Sequence, residues 1–567
     1  MSKIIQTDSL SEQSYKIDNF NPSTETINFS YTSGRTLLPV YNKYDTRNKP
    51  KVFGYYTDWS QYDGRLQGNQ DPIRRGRGID LQHLLDNPFA YDKLVIGFCG
   101  ILGDEGEKKQ QIKEQAPFFA RTNNGEVTFT DAWGDCQSYQ NCTYSGWQDI
   151  QMPRDFDQSK SMGVLGGLAK VQQAAKAQGH DLIMSFSVGG WTMSNGFYNM
   201  VRDETLKSYF CSSLVDIFQR FPMFTEIDID WEYPGVAGNE GNMYAPDDGD
   251  YYVSLIRDLT AAFKEAGRSD IKISIACSAV PEKMEKSKIP ELLQVGLYGI
   301  NVMTYDFFGT PWAERLLHHT NLRNYPGGDN SVEKAVEYLL SLGVPASAIN
   351  IGYTGYSRNG RNTVIDSYSP LSGSYDPGYV PKKDPKITTT GSFESGTTEW
   401  YDAIYNYLDL EEKRGRNNFD LYTDEIADAD YLYNKDSKLF ISFDTPRSVK
   451  AKAQYALEKN LGGIFTWTAD QDRGLLVNAA REGLGCELIT QKIEMAPFYF
   501  KGINVEPVDP VKPEKGGDYP VWDANKVYQA GDRVNWNNQN WEAKWWNRGT
   551  VPDGGGTSDT YPWVKIA

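Results

Sequence analysis

The sequence lacks any long apolar run and any excess of positive charge. No stretch approaches the roughly 18 consecutive apolar residues that a membrane-spanning helix requires, so membrane insertion is excluded. Lys and Arg number 58 against 75 Asp and Glu, which gives a formal net charge of −17. This balance provides no electrostatic footprint for a polyanion and excludes nucleic acid as a partner, whereas it suits a neutral or cationic substrate.

Cysteine is also scarce, at six residues in 567, which is too few for a disulfide scaffold. Cys99 and Cys277 lie in apolar runs, where small buried thiols are common. Cys136 and Cys142 flank a polar loop, and the sequence leaves open whether they form a local disulfide. The N-terminal residues lack the apolar core of a cleavable signal peptide, so the compartment also stays open.

No motif for a metal or an organic cofactor is present. The four histidines have no zinc-ligand spacing, and no P-loop, Gly-x-Ser-x-Gly or Gly-x-Gly-x-x-Gly pattern occurs. The glycine-rich run 163–167 is predicted to be a loop that leads into a helix.

From residue 51 onward, short β-branched runs alternate with amphipathic segments, which is typical of a parallel α/β sheet. Eight strands with helical crossovers favour a (β/α)8 TIM barrel over an open sheet. The predicted strands are 52–57, 94–101, 182–188, 225–232, 271–277, 298–305, 349–354 and 463–467.

Composition divides the chain into four regions. Residues 1–50, rich in Ser, Thr, Asn and Asp, predict an extended arm that is ordered only if it packs on something else. Residues 51–486 form the predicted barrel, with an α+β insertion subdomain at about 359–440. A proline-containing linker at 487–517 then leads to a small β-rich module at 518–567, which holds six of the 14 tryptophans.

The segment Thr225-Glu-Ile-Asp-Ile-Asp-Trp-Glu-Tyr-Pro-Gly235 carries the most chemical information. Strand periodicity places Asp228, Asp230 and Glu232 on one face and the apolar residues between them on the other. Same-face neighbours lie roughly 6.5–7 Å apart, so their titrations are coupled. We expect the first carboxylate to ionise readily and the last to hold a proton as a general acid. A solvated acidic edge strand and a divalent-metal site are the alternatives.

This segment resembles the signature of glycoside hydrolase family 18, the chitinases. Four more stretches resemble family motifs in the expected order: Ser187-Val-Gly-Gly190, Met303-Thr-Tyr-Asp306, Gly355-Tyr-Ser-Arg358 and Gly462-Gly-Ile-Phe-Thr-Trp467. The resemblance covers 51–486. One departure is present, because Thr225 and Glu226 stand where the family usually has Asp-Gly, and this changes the expected support at the buried end of the carboxylate row.

The resemblance implies retaining hydrolysis without a cofactor or metal, in which the substrate's own N-acetyl oxygen attacks the anomeric carbon. Glu232 would protonate the glycosidic oxygen and later activate water. Asp230 would hold the acetamido N–H, Asp228 would orient Asp230, Tyr305 would donate to the acetamido oxygen, and Trp467 would stack under the sugar.

Further positions are expected to bind substrate by the same resemblance. They are Tyr55, Trp59, Ser187, Gly189, Gly190, Trp191, Tyr233, Met303, Asp306, Trp312 and Arg358. Flat aromatic rings match the apolar C–H faces of sugars. Trp231, on the helix-facing side of its strand, is predicted to be a core residue.

The C-terminal module, 519–563, resembles chitin-binding modules of carbohydrate-binding families 5 and 12. Trp541, Trp545 and Trp546 are its candidate binding residues, and the adjacent pair is the preferred stacking platform. Tryptophans can also bind single-stranded nucleic acid, but residues 518–567 hold five basic and six acidic residues, which argues against that alternative.

The predicted function is therefore a chitinase that hydrolyses β-1,4-linked N-acetylglucosamine polymers, with exo-acting or processive release of chitobiose. The alternatives are a chitin-binding lectin on the same barrel and an endo-β-N-acetylglucosaminidase that acts on glycans. The expected partners are chitin and chito-oligosaccharides. We expect extracellular action without a visible signal, by a non-classical route or in a larger secreted assembly that docks through residues 1–50.

Overall fold

Eight parallel strands close into a barrel in the computed structural model, which describes residues 3–63, 77–146, 154–377, 389–505, 519–524, 526–536, 539–552 and 561–566. The last of these strands pairs with the first, with Phe465 opposite Phe53, so the eight parallel strands form a closed barrel. The (β/α)8 prediction is confirmed, and each predicted strand overlaps an observed one. In chain order, β1 to β8 are Lys51–Thr57, Lys93–Ile101, Ile183–Gly189, Phe224–Asp230, Lys272–Ser278, Leu297–Met303, Ile349–Thr354 and Gly463–Trp467.

Helices cover the outer face of the barrel. Those that follow the successive strands, α1 to α8, are Gln82–Asp86, Gly163–Ala177, Glu204–Arg220, Asp248–Glu265, Ile289–Gln294, Val332–Ser341, Pro446–Glu458 and Leu475–Gly483. The loop predicted at 163–167 is wrong, since α2 already begins at Gly163. A Cβ at Gly167 would lie 2.6 Å from the side chain of Leu81, so these glycines permit close packing that outweighs their poor helix propensity.

Apolar side chains of the strands point outward to the helices. Ile227, Ile229 and Trp231 belong to this outer core. Trp231 is 2% exposed and stacks on Phe197 with ring centroids 5.2 Å apart, as expected for a core residue. The inward face of the same strand therefore carries the carboxylates.

An antiparallel five-stranded sheet is inserted between β7 and α7. Its strands are Arg358–Tyr368, Leu371–Asp376, Asp420–Asp424, Ala429–Asn434 and Leu439–Phe443. Buried His318, from the segment after β6, contacts Asp424 of this sheet at 2.8 Å. The insertion is thus joined to the barrel on the side where the strands end.

The N-terminal arm packs on the rest of the chain. Residues 1–504 form one compact unit and 505–567 a second. In the arm, Ser30 and Thr32 donate to the two carboxylate oxygens of fully buried Asp402 at 2.6 and 2.8 Å. Ser392 and Asn406 complete the hydrogen bonds to that carboxylate. Buried donors left without this acceptor would be unpaired, so Asp402 fixes the arm in place.

The structure answers two questions from the sequence, namely where the linker begins and whether Cys136 and Cys142 form a disulfide. The linker cannot start at 487, because strand Glu487–Thr490 pairs with Lys43–Asp45 and helix Ala496–Phe498 follows. Residues 506–518 lie outside the described residues. All six cysteines are free and buried, so Cys136 and Cys142 form no disulfide, and Cys142 Sγ instead donates to the side chain of Gln61 at 3.1 Å.

The C-terminal module is built from short antiparallel strands. They are Val527–Tyr528 with Asn547–Arg548, and Arg533–Trp536 with Gln539–Ala543 and Trp563–Ile566. Its small core contains Tyr528, Val534, Trp541, Ala543 and Trp563. Throughout the described part of the chain, no helix combines the length and apolar character needed to cross a bilayer.

Candidate active site

A row of carboxylates follows β4 along the inside of the barrel. Asp228 and Asp230 lie in the strand, and Glu232 lies just beyond its end. Asp228 is fully buried, Asp230 is 4% exposed and Glu232 is 8% exposed. The three side chains therefore run from the barrel interior to its mouth, as the strand period predicts.

Side chains from four other strands of the barrel donate hydrogen bonds to Asp228. Tyr55 and Ser187 reach one carboxylate oxygen at 2.9 and 3.0 Å, and Ser274 and Asn301 reach the other at 2.8 and 3.0 Å. Burial nevertheless raises the pKa of Asp228, against the lowering effect of these donors. The donors favour the ionised form expected for this carboxylate, whereas burial opposes it.

Asp230 and Glu232 face the opening with fewer donors. Asp230 Oδ1 has no hydrogen-bond partner among the described residues. Burial, with the adjacent charges of Glu232 and Asp228, raises the pKa of Asp230 well above its ordinary value. Burial also raises the pKa of Glu232 to about 7, although the Tyr233 hydroxyl donates to it. A carboxyl group that is half protonated near neutrality is suited to general acid and base work.

Two glycines at the end of β3, Gly189 and Gly190, let this part of the chain come close to the backbone of the carboxylate row. A Cβ at Gly189 would lie 2.3 Å from the carbonyl oxygen of Asp230. The Gly190 N–H donates to that same oxygen at 2.8 Å. Ser194, which sequence reasoning missed, donates to the Asp230 carbonyl and accepts from the N–H of Glu232 at 2.9 Å. This turn holds the backbone that leads from Asp230 to Glu232.

An aromatic plane extends from the inner end of the site. Trp467 stacks on Phe98 with centroids 5.5 Å apart, and Phe98 stacks on Trp59 at 6.4 Å. Phe98 was missed because it lies in an apolar run that is indistinguishable from an ordinary strand. Tyr305 stands against Phe465 beside this plane. The arrangement offers a continuous surface for sugar C–H faces.

Asp306 is fixed from several sides. Arg358 binds its two oxygens at 2.8 and 2.6 Å, and Tyr356 donates to one of them at 2.8 Å. Burial would raise the pKa of Asp306, but these partners hold it below its ordinary value. The Asp306 N–H donates to His319 Nδ1 at 3.0 Å, and burial lowers the pKa of this histidine to about 3, which keeps it neutral. Trp312 lies 4.8 Å from the Arg358 guanidinium.

A second wall contains a cation that no sequence pattern indicated. Lys283 Nζ lies 4.0 Å from the ring centroid of Tyr233, and Tyr233 packs edge-on against Trp191 at 6.5 Å. Burial lowers the pKa of Lys283, and its charge in turn lowers that of Glu232. The acid thus has a positive neighbour on this side of the cleft.

The structure separates the expected sugar-binding residues into two groups. Tyr55 and Ser187 are 2% and 0% exposed and bind Asp228, so they support the row from below instead of facing a ligand. Met303 is half-buried at the end of β6. The tryptophans at the rim face solvent, with exposed fractions of 36%, 49% and 51% for Trp59, Trp191 and Trp312.

In the C-terminal module, the adjacent tryptophans are accessible. Trp545 is 39% exposed and Trp546 is 64% exposed. Trp541 is only 6% exposed and belongs to the module core, so its expected role in binding is corrected to support of the fold.

Across the described residues, no group of three or more His, Cys, Asp or Glu side chains is arranged to hold a metal ion. The family model described as glycosyl hydrolases family 18 matches residues 51–472, a span that contains the whole carboxylate row. The chain belongs to glycosyl hydrolase family 18. A second model, carbohydrate-binding module family 5/12, matches residues 521–564. Both resemblances drawn from the sequence are confirmed.

Two similar proteins are chitinases of one bacterium. Chitinase 2 of Yersinia entomophaga is 41% identical over 537 residues, which cover 89% of this chain and 83% of that protein. Chitinase 1 of the same organism is 37% identical over 523 residues, covering 89% and 93%.

Two solved structures are similar as well. The chitinase Chi1 fitted into the Yersinia entomophaga toxin complex has a TM-score of 0.81 at 36% identity, covering 88% of this chain and all of that one. Chitinase ChiA74 from Bacillus thuringiensis has a TM-score of 0.64 at 26% identity, covering 78% and 71%.

The pKa of Glu232 predicts the alkaline side of the pH profile. A general acid must be protonated to act, so the role expected for Glu232 predicts that kcat/KM falls as the pH rises through about 7. Lys283→Met removes a neighbouring charge that lowers this pKa, so the alkaline limb should move to higher pH. Lys286→Met, at an exposed position of the same short helix, Pro281–Lys286, is the matched control. Equal profiles for the two variants would contradict the assignment.

Proposed function

We propose that this chain is a chitinase that cleaves β-1,4-linked N-acetylglucosamine polymers with retention by substrate-assisted catalysis. The observation that carries the proposal is the unequal hydrogen bonding of the carboxylate row. Asp228 receives four donors, Asp230 has an oxygen that none of the described residues reaches, and the pKa of Glu232 is raised to about 7. An acetamido N–H is the kind of donor that Asp230 lacks. Membership of family 18 and the similar chitinases support the same conclusion.

The first step forms a bond between the acetamido oxygen and the anomeric carbon of the substrate. At the same time the bond between the anomeric carbon and the glycosidic oxygen breaks, and Glu232 gives its proton to that oxygen. Asp230 accepts a hydrogen bond from the acetamido N–H and stabilises the positive charge of the oxazolinium. The Tyr305 hydroxyl donates to the acetamido oxygen and orients it for attack. Asp228 keeps Asp230 aligned from below.

The second step returns the site to its starting state. Ionised Glu232 takes a proton from water as the water attacks the anomeric carbon on the face of the departed sugar. Two inversions give net retention, and no protein atom becomes covalently attached. The catalytic proton therefore begins and ends on Glu232.

The insertion subdomain supplies one wall of the cleft. Its first strand begins at Arg358, which holds Asp306, and Thr310 of the adjoining loop donates to the backbone of Asn359 at 2.7 Å. We infer a deep groove with exo-acting or processive cleavage. Digestion of insoluble chitin should yield mainly disaccharide from the earliest times. A broad ladder of long oligomers at early times would contradict this mode.

Polymer digestion implies action outside the cell, and we propose that the chain is extracellular and belongs to a secreted assembly. One similar chitinase, Chi1, has been fitted into the structure of a toxin complex. In the arm, Ile17 and Ile27 are 54% and 42% exposed and offer an apolar contact. Ile17→Asp with Ile27→Asp should reduce recovery of partners from culture supernatant relative to the native chain. Unchanged partners would remove this role for the arm.

Glu232→Gln keeps the shape of the side chain and removes the proton donor. Release of a chromophore from a chitobiose glycoside should fall by roughly 10²–10⁴. Glu240→Gln, at an exposed position of the same loop region, is the matched control and should leave the rate near native. Equal cleavage by native and Glu232→Gln protein would contradict the role of the acid. A native protein that binds chitin without cleaving it would favour the lectin alternative.

The C-terminal module should anchor the enzyme to insoluble polymer. Trp546→Ala removes its most exposed ring, so binding to insoluble chitin should fall by about tenfold, the worth of one stacked ring. Hydrolysis of the small soluble glycoside should not change. Val564→Ala, at an exposed position of the same module, controls for surface truncation. Loss of soluble activity in Trp546→Ala would show that the effect is not confined to anchoring.

A further inference from the structure

A buried ion pair lies inside the barrel beneath the carboxylate row. Lys93 opens β2, and its Nζ lies 3.0 Å from Glu226 Oε2. The two side chains are 5% and 8% exposed. The ammonium also lies 4.1 Å from the centroid of the Phe53 ring. Removing such a pair from water is costly, and the cost is offset only when the two charges are very well matched. A buried ion pair at this position therefore calls for an explanation.

Glu226 extends the row to four carboxylates. It precedes Asp228 by two residues in β4, so the two side chains share the inward face at a spacing of roughly 6.5–7 Å. This is the position at which the sequence departs from the usual family pattern. Of the two residues that differ from the family pattern, Thr225 is exposed and Glu226 is buried. Only Glu226 therefore changes the interior of the barrel.

Positive charge is scarce around this row. Among the barrel strands, all of which are described, Lys93 is the one fully buried cation; Lys51 is half-buried and Lys272 is exposed at the same end. Arg358 and Lys283 stand at the opposite end, beside Asp306 and Tyr233. The remaining titratable groups that interact electrostatically with Asp228 or Asp230 are neutral or acidic: Tyr55, Tyr233, Tyr252, Cys277, Tyr305 and Glu232.

We propose that Lys93, held by Glu226, is a positioning residue that supplies the counter-charge of the row and sets the pH below which Asp228 and Asp230 are both protonated. The proposal rests on the substrate-assisted route above. In that route Asp230 must carry charge to stabilise the oxazolinium, so full protonation of the pair stops catalysis. Lys93 opposes the effect of burial on Asp228 and extends activity toward acid pH.

The sign of the effect separates this role from simple packing. Lys93→Met removes the cation and nearly preserves side-chain volume, so the acid limb of kcat/KM should move upward by about one pH unit. Glu226→Gln leaves Lys93 without a competing anion, so the acid limb should move downward. The double variant should lie between the two. The full chain is assayed with a chromogenic chitobiose glycoside, and thermal unfolding is followed at each pH.

Opposite shifts support the proposal, whereas shifts of the same sign, or none in either variant, overturn it. If Lys93→Met fails to fold, Glu226→Gln decides alone: a downward shift supports the proposal and any other result overturns it.

If the native chain cleaves nothing, the proposed function fails, and the role of Lys93 is then tested by the midpoints of thermal unfolding. A buried acid with a raised pKa loses stabilisation as the pH rises above its ordinary pKa, so the stability of Lys93→Met should fall more with rising pH than that of Glu226→Gln. Equal losses would overturn the proposal.

Discussion

Burial of several carboxylates inside one barrel is the constraint on which the rest of this structure depends. Removing an ionised carboxylate from water costs several kcal/mol unless donors or cations replace the solvent. The molecule meets this requirement unevenly. Asp228 receives four donors, whereas Asp230, one step nearer the mouth, has an oxygen that receives none from the described residues. The deficit is thus located where a substrate can reach it.

The donors come from different strands, which explains why the barrel interior is polar. Ser187, Ser274 and Asn301 occupy inward positions that aliphatic side chains usually fill in this fold. The apolar packing that stabilises the barrel is correspondingly moved to the outer layer, where Ile227 and Ile229 meet the helices. Fold stability and active-site polarity are therefore assigned to opposite faces of the same strands.

Sequence periodicity was sufficient for the strands and for the direction of the carboxylate row, because both follow from alternation within one segment. It was not sufficient for contacts that join distant segments. Ser274 and Asn301 lie in strands whose inward serine or asparagine could equally have been a satisfied core residue. Lys283 lies in a helix of only six residues and His319 in a loop, and neither segment carries a periodic signal.

Some expectations failed because local composition was a poor guide to packing. Glycines at 163–167 indicated a loop, but close contact with neighbouring backbone favours a helix there. Trp541 was grouped with its neighbours by residue type, whereas alternation along its strand turns it inward. Strand Glu487–Thr490 was assigned to the linker because its pairing partner lies more than 400 residues earlier.

The attachment of the arm also constrains the order in which the chain can fold. The hydrogen bond from Ser30 to Asp402 joins residues 372 positions apart. At the usual synthesis rate of roughly 5–20 residues per second, the arm waits about 20 to 70 s on the ribosome before its acceptor exists. During that interval its apolar residues must remain soluble without their final partners. The scarcity of long apolar runs in the first 50 residues is consistent with that wait.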